Sequence, residues 1–282
     1  KISVGAPFFN LTFGALMVPL MVAMPFGPLL AWKRGDLAAA GQRLFAAAGA
    51  ALLAGLVALL FVDGVTAFAA VGFGLAAWLL IGAVTDLVLR AGIGSVAASV
   101  ALCRFAGLPR SVYGTALAHF GLGLTALGIV SVTALQAERI VAMKPGDTVE
   151  ISGYVLRYDR MEPVRGPNYT EDRAFFGLAT EAGRDLGEVI SSKRVYTARQ
   201  MPTTEAGIAT RGFSQVYVSL GDPAANGGTV VRVWHKPLVT LIWLGALVMM
   251  AGGTMSLADR RLRIGAPARR KVRTATAGVP AE

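Results

Sequence analysis

The sequence predicts a multi-pass α-helical membrane protein with five transmembrane helices and a small all-β domain outside the bilayer. Three observations lead there. Hydrophobic residues make up 54% of the 282 residues and charged residues 16%, with mean hydropathy +0.57, well away from a soluble domain. Five apolar runs approach the roughly 20 residues that a bilayer crossing needs. One polar stretch of about a hundred residues, 136–236, separates the fourth run from the fifth and carries alternating strand-like patterns.

The first span runs from Phe9 to Trp32 and has Pro19, Pro25 and Pro28 in its path, which predicts a kinked or broken helix whose freed carbonyls find partners on neighbouring helices. The second runs from Leu44 to Val62. In the third, Thr66 to Leu89, the glycines Gly72, Gly74 and Gly82 predict close helix contacts. Asp86 lies four residues before Arg90 near its end, a spacing that suits a helix-end ion pair and leaves a proton relay as the other reading. The fourth span is Tyr113 to Leu135. The fifth, Leu238 to Leu257, carries Gly252 and Gly253 as further close-contact positions.

Basic residues orient the bundle. Lys33, Arg34 and Arg43, then Arg90, Arg104 and Arg110, then Arg260, Arg261, Arg263, Arg269, Arg270, Lys271 and Arg273 in the tail 259–282 fall in connections on one side, the cytoplasmic one. The turn at Asp63 and Gly64 has no base and falls on the other, so the chain starts outside and ends inside, with an Arg-rich tail that touches anionic membrane lipid. The net charge of +10 is therefore a topology signal. No basic reading helix or aromatic-interleaved patch is present, which argues against nucleic acid.

The outer stretch holds 13 Lys and Arg against 12 Asp and Glu. Thr148 to Tyr158 reads as one strand around Gly153, followed by strands at Arg173 to Ala179, Gly187 to Tyr196, Val216 to Leu220 and Thr229 to Val233. Gly166-Pro167-Asn168 and Asn226-Gly227-Gly228 punctuate them. A small β module results, with a barrel as one arrangement.

His119 is the sharpest candidate. It sits about two turns into the fourth span, where an ionisable ring costs free energy unless paired, hydrogen-bonded or metal-bound. Residues three and four away share its face. These are Thr115, Ala116, Leu122 and Gly123, with Ala126 beyond, a mostly small surface that leaves room for a large flat group. Neutral imidazole is a good axial ligand to haem iron, and Thr115 offers an acceptor for the other ring nitrogen. An interhelical hydrogen bond is the plainer reading. His235, beside Trp234, reads as an interfacial residue. With one cysteine, Cys103, and two histidines, the chain lacks a disulfide, a covalent haem-attachment motif and a four-ligand zinc set. It opens at Lys1 without a signal-peptide n-region or cleavage site, which predicts a processed product or a piece of something longer.

Several motifs in order carry a resemblance. KISVGAPFFN at Lys1 to Asn10, Gly27-Pro28-Leu29-Leu30-Ala31-Trp32-Lys33, Leu108-Pro109-Arg110-Ser111-Val112-Tyr113-Gly114 and Leu117-Ala118-His119-Phe120-Gly121 are four of them. Gly166-Pro167-Asn168-Tyr169, Arg194-Val195-Tyr196, Thr203 to Ile208, Lys236-Pro237-Leu238, Ile242-Trp243-Leu244-Gly245-Ala246 and Ala258-Asp259-Arg260-Arg261 continue the series. Together they resemble the later half of the CcmF family, the membrane subunit of the cytochrome c haem lyase. The resemblance implies a bacterial inner-membrane protein with a periplasmic β domain. Its substrate haem arrives transiently from the chaperone CcmE and is joined to apocytochrome c, with CcmH and CcmI as partners. It also implies a haem b with His119 as one axial ligand. The family's other b-haem histidine, its tryptophan-rich segment and its external histidines belong to the N-terminal half, so this chain is expected to need that half, fused or separate. The reading includes the closely related lyase specialised for nitrite reductase haem attachment, and the sequence does not choose between the two.

On this reading Tyr169, in the Gly166 loop, contacts haem or a partner, the alternative being a plain turn. Arg173 and Arg194 bind haem propionates, the alternative being solvated outward arginines. A different class stays open: a non-catalytic membrane scaffold whose β domain docks maturation partners. A transporter fits less well, since paired broken helices in two matching halves are missing.

Overall fold

The computed structural model describes residues 5–30, 35–198, 200–225 and 227–259. Trp32, Lys33, Arg34, Asn226 and the Arg-rich tail lie outside them.

Among the described residues seven α-helices and nine strands follow in order. Helix α1 (Ala6–Ala23) runs through Pro19 without breaking, and the chain tightens into a 3-10 helix only at Met24–Leu29. Pro25 and Pro28 explain the place, since neither can donate to a carbonyl one turn back. Carbonyls at either end of this segment are met from α4 (Ala67–Ala91): Trp78 Nε1 donates to Val22 O at 3.1 Å, and Arg90 Nη2 to Pro28 O at 3.0 Å. Buried Pro25 lies against Gly82, where a Cβ would come within 2.7 Å of the proline ring.

The second span is more complex than one apolar run. Helices α2 (Leu37–Arg43) and α3 (Phe45–Phe61) meet at a 58° bend and form one broken crossing or a re-entrant segment. The described residues thus contain four helices long and apolar enough to cross a membrane, or five with the bent pair. Between α4 and α6 lies a short helix, α5 (Ala98–Ala106), that the sequence pattern had not indicated.

Helix α6 (Arg110–Leu135) and helix α7 (Thr240–Leu257) pack antiparallel along a seam of glycines spaced by seven. A Cβ on Gly114 would stand 2.5 Å from Gly252 O, and one on Gly121 would stand 2.6 Å from Gly245 O; at Gly128 it would meet Ile242 and Leu238 O. The seven-residue period keeps the bare positions on one stripe, and backbone touches backbone. Gly253, expected to serve the same purpose, has nothing within 4 Å of its would-be Cβ. It points away from the seam, one residue off the stripe. At the α6 start of the seam Ser111 N–H donates to Asp259 Oδ2 at 3.0 Å, so a carboxylate following α7 caps the positive start of α6.

The polar stretch folds as two facing antiparallel sheets. One has the order β1 (Ala137–Met143), β9 (Thr229–Lys236), β8 (Ser214–Pro223), β7 (Gly207–Arg211). The other runs β2 (Thr148–Ile151), β3 (Tyr154–Arg165), β4 (Tyr169–Thr180), β5 (Asp185–Tyr196), β6 (Pro202–Glu205). It is an open sandwich and not a barrel. Leu156, Tyr158, Phe176 and Leu178 of one sheet meet Val216, Val218, Val231 and Val233 of the other in its core.

The single strand expected at Thr148 to Tyr158 is a hairpin. Ile151 pairs with Tyr154 across Ser152 (φ 48°) and Gly153 (φ 84°), two consecutive positive-φ residues of the kind a primed two-residue turn demands. The other four expected strands lie inside β4, β5, β8 and β9. Helix α6 passes through Gln136 alone into β1, and β9 leads into α7 through a three-residue turn with Leu238 at positive φ; the two strands pair from Ala137↔His235 to Met143↔Thr229.

Candidate functional site

His119 is half-buried on α6 and lines a groove of about 480 Å³ with Thr115 of the same helix, Leu20 and Ala23 of α1, and Met24, Gly27 and Pro28 of the 3-10 segment. The 3-10 segment Met24–Leu29 forms one wall of the groove through Met24, Gly27 and Pro28. Among the described residues the imidazole makes no hydrogen bond, so the interhelical bond that would make it merely structural is missing there. Thr115 Oγ1 donates to Ser111 O at 2.9 Å, which leaves the oxygen able to accept.

Gly123 is placed differently from the sequence expectation. Its bare Cα faces α4, where a Cβ would stand 2.8 Å from Leu80 Cγ, and it does not line the groove. The i+4 rule finds the right helix face, but that face is shared between two neighbours, with His119 toward the 3-10 segment and Gly123 toward α4.

Near the end of α4 the Asp86–Arg90 pair forms, with Arg90 Nε 2.7 Å from Asp86 Oδ1 and the carboxylate buried. These two residues and Arg43 line a second cavity of about 450 Å³ together with Pro28, Leu29, Leu30 and Leu89.

Tyr169, Arg173 and Arg194 come together, but on the outer face of the five-stranded sheet and not beside His119. What joins them is Glu171, which the sequence pattern did not single out. Its side chain is fully buried in a ring of donors. Arg173 Nε donates to Oε1 at 2.9 Å, with Arg173 Nη2 on the same oxygen; Arg194 Nε donates to Oε2 at 2.9 Å and Ser192 Oγ at 2.8 Å. Burial pushes the Glu171 carboxyl up, and the bonds from Ser192, Arg173 and Arg194 outweigh it, holding the group below the usual carboxylate range. Arg194 is in turn raised by the Tyr196 hydroxyl and by Glu171.

The Arg194 guanidinium lies 4.1 Å over the Tyr169 ring, which packs edge-on to Tyr196 and leaves no room for a side chain at Gly166. The Gly166 segment is a tight β3–β4 turn closed by Gly166 N–H to Tyr169 O at 2.8 Å. The arginines are thus not free solvated side chains. His235 packs on Tyr154, with ring centroids 5.7 Å apart, and burial lowers its pKa. The Trp234 ring lies 5.9 Å from Lys236 Nζ.

Residues 134–237 match the family model described as the CcmF C-terminal beta-sandwich. The cytochrome c-type biogenesis protein CycK of Rhizobium meliloti (strain 1021) is 62% identical over 269 residues, which is 95% of this chain and 40% of that protein. CcmF of Pseudomonas aeruginosa is 37% identical over 94% of this chain and 39% of its own length, and CcmF of Escherichia coli (strain K12) 34% over 93% and 39%. The chain thus spans about two fifths of the length of the curated relatives it matches. A solved structure described as cytochrome c heme lyase CcmF shares the fold, with TM-score 0.69 at 19% identity over 90% of this chain and 41% of that one. The glycine-seamed membrane helices, the sandwich between the last two of them, and these relatives together place the chain in the CcmF family, as its C-terminal half.

Proposed function

We propose that this chain is the C-terminal part of a cytochrome c haem lyase of the bacterial inner membrane, in which His119 is an axial ligand to a b haem. The observation that carries the reading is the half-buried imidazole, without a hydrogen bond among the described residues, opening onto an apolar groove on the side of the helix bundle. The residues fit such a group. His119 supplies the nitrogen donor, Leu20, Ala23, Met24 and Pro28 supply apolar walls, and Thr115 supplies an acceptor for the second ring nitrogen. A haem held there by His119 would supply a one-electron centre for reducing the substrate haem brought by CcmE.

In this reading residues 136–236 lie in the periplasm and the tail in the cytoplasm. The surface built by Tyr169, Arg173 and Arg194 meets CcmH, CcmI, apocytochrome c or the substrate haem. Glu171 already takes three guanidinium N–H groups, so any propionate is received by the remaining ones. Thioether formation requires the N-terminal half of the family's proteins.

The test is the dithionite-reduced visible spectrum of the membrane protein containing this chain, for wild type and His119→Ala. The expected result is a six-coordinate b-haem signal in wild type that the variant loses while staying folded. A colourless wild type, or an unchanged variant with full cytochrome maturation, supports the scaffold reading in its place.

A further inference from the structure

The His119 groove and the Arg43–Arg90 cavity meet at Pro28, which lines both. With a rise of 1.5 Å per residue, Thr115 lies about 6 Å and Arg110 about 13 Å from His119 along α6, toward the inner membrane edge. Arg90 stands near the end of α4 at the same edge and reaches Pro28 O at 3.0 Å. The path from His119 therefore passes from an apolar wall to a cationic pocket over one turn of 3-10 helix.

The pocket holds two guanidiniums against one carboxylate. Asp86, buried, fixes Arg90 through its Nε, while Arg43 at the end of α2 forms no ion pair among the described residues. A net positive charge at the lip of an apolar groove selects a molecule that is apolar at one end and anionic at the other.

We infer that Arg43 and Arg90 receive the carboxylate edge of the tetrapyrrole whose iron His119 holds, so that one site grips the group at its metal and at its propionates. This rests on the His119 reading and adds two residues to it. Arg90 is pre-set by Asp86 and by the Pro28 carbonyl, and Arg43 closes the lip from α2. The guanidiniums also stabilise the less positive reduced iron, which ties the potential of the centre to this pocket.

The test uses the full-length membrane protein containing this chain. Its variants are Arg43→Gln, Arg43→Lys, and the doubly neutral Asp86→Asn/Arg90→Gln, which leaves no unpaired buried charge. The measurements are transfer of haem to excess apomyoglobin and the midpoint potential. Expected are about tenfold faster haem loss in Arg43→Gln, partial rescue in Arg43→Lys, and a lowered potential with unchanged six-coordinate bands. Replacing haem by its dimethyl ester should abolish the difference between wild type and Arg43→Gln. Wild-type protein that carries haem, with release and potential unaltered in both neutral variants, overturns this inference and leaves His119 standing. Wild type without haem overturns both.

Discussion

A buried charge is rarely neutral in its consequences, and Glu171 makes this concrete. The alternation of β4 marks it as an outward position, and on sequence grounds a glutamate there is a solvated side chain. The structure instead seals it under Arg173, Arg194 and Ser192, because cross-strand neighbours on one sheet face come within reach of one another. Which long side chains fold inward over a face is decided by pairing register, and register was not readable without the turns. Replacing Glu171 by Ala leaves two half-buried guanidiniums without their anion and should destabilise the sandwich by roughly 2–4 kcal/mol, measured by limited proteolysis or hydrogen exchange of the membrane-embedded protein. The folded-state pKa of Glu171 is depressed, so its contribution is present above the unfolded-state value of about 4.3 and is lost as pH falls through the folded value. The wild-type sandwich should therefore loosen on acidification below that point, and Glu171→Gln should show a smaller acid response. His119 was readable because an imidazole inside an apolar span has few reasons to be there. Its groove was not, since it depends on a 3-10 turn across the bundle.

Among the elements, the α6–α7 seam shows how much of a membrane bundle is written in spacing. Gly114, Gly121 and Gly128 repeat every seven residues, as do Gly245 and Gly252. The sequence pattern predicted close approach for Gly252 but could not pick its partner or dismiss Gly253, because hydropathy is nearly the same all round these helices. Gly121→Ala places a Cβ 2.6 Å from a carbonyl and should force the helices apart, lowering the thermal midpoint in detergent by several degrees. Gly253→Ala, with open space around it, should leave the midpoint unchanged or slightly higher. The strands divide in the same way. β4, β5, β8 and β9 were found because they alternate. β1 was missed because Ala137–Met143 has little alternation, and the Ser152-Gly153 hairpin was missed because a serine at positive φ carries no pattern of its own.

For the molecule as a whole, membrane class, the outer β module and their order were all present in composition and hydropathy. The bend between α2 and α3 and the sandwich closure were not, since both depend on contacts between distant segments. Sidedness is the expectation most open to direct test. Cys103, the chain's one cysteine, is exposed on α5 beside Arg104, in the connection that the charge pattern assigns to the inner side. A membrane-impermeant maleimide should label it only after spheroplasts are permeabilised. In a Cys103→Ser background, Glu181→Cys at the β4–β5 turn should label in intact spheroplasts. The reverse pattern would invert the topology.

The pairing of β1 with β9 directly above the α6–α7 seam means that the chain enters and leaves its outer domain through a single doorway two strands wide. A domain attached by such a doorway is a cassette. Its loops and solvent-facing sides can diverge while the helix that bears His119 keeps its address in the membrane. Exchanging residues 137–236 for another sandwich of equal stem spacing should change what the protein meets outside without disturbing what it holds inside.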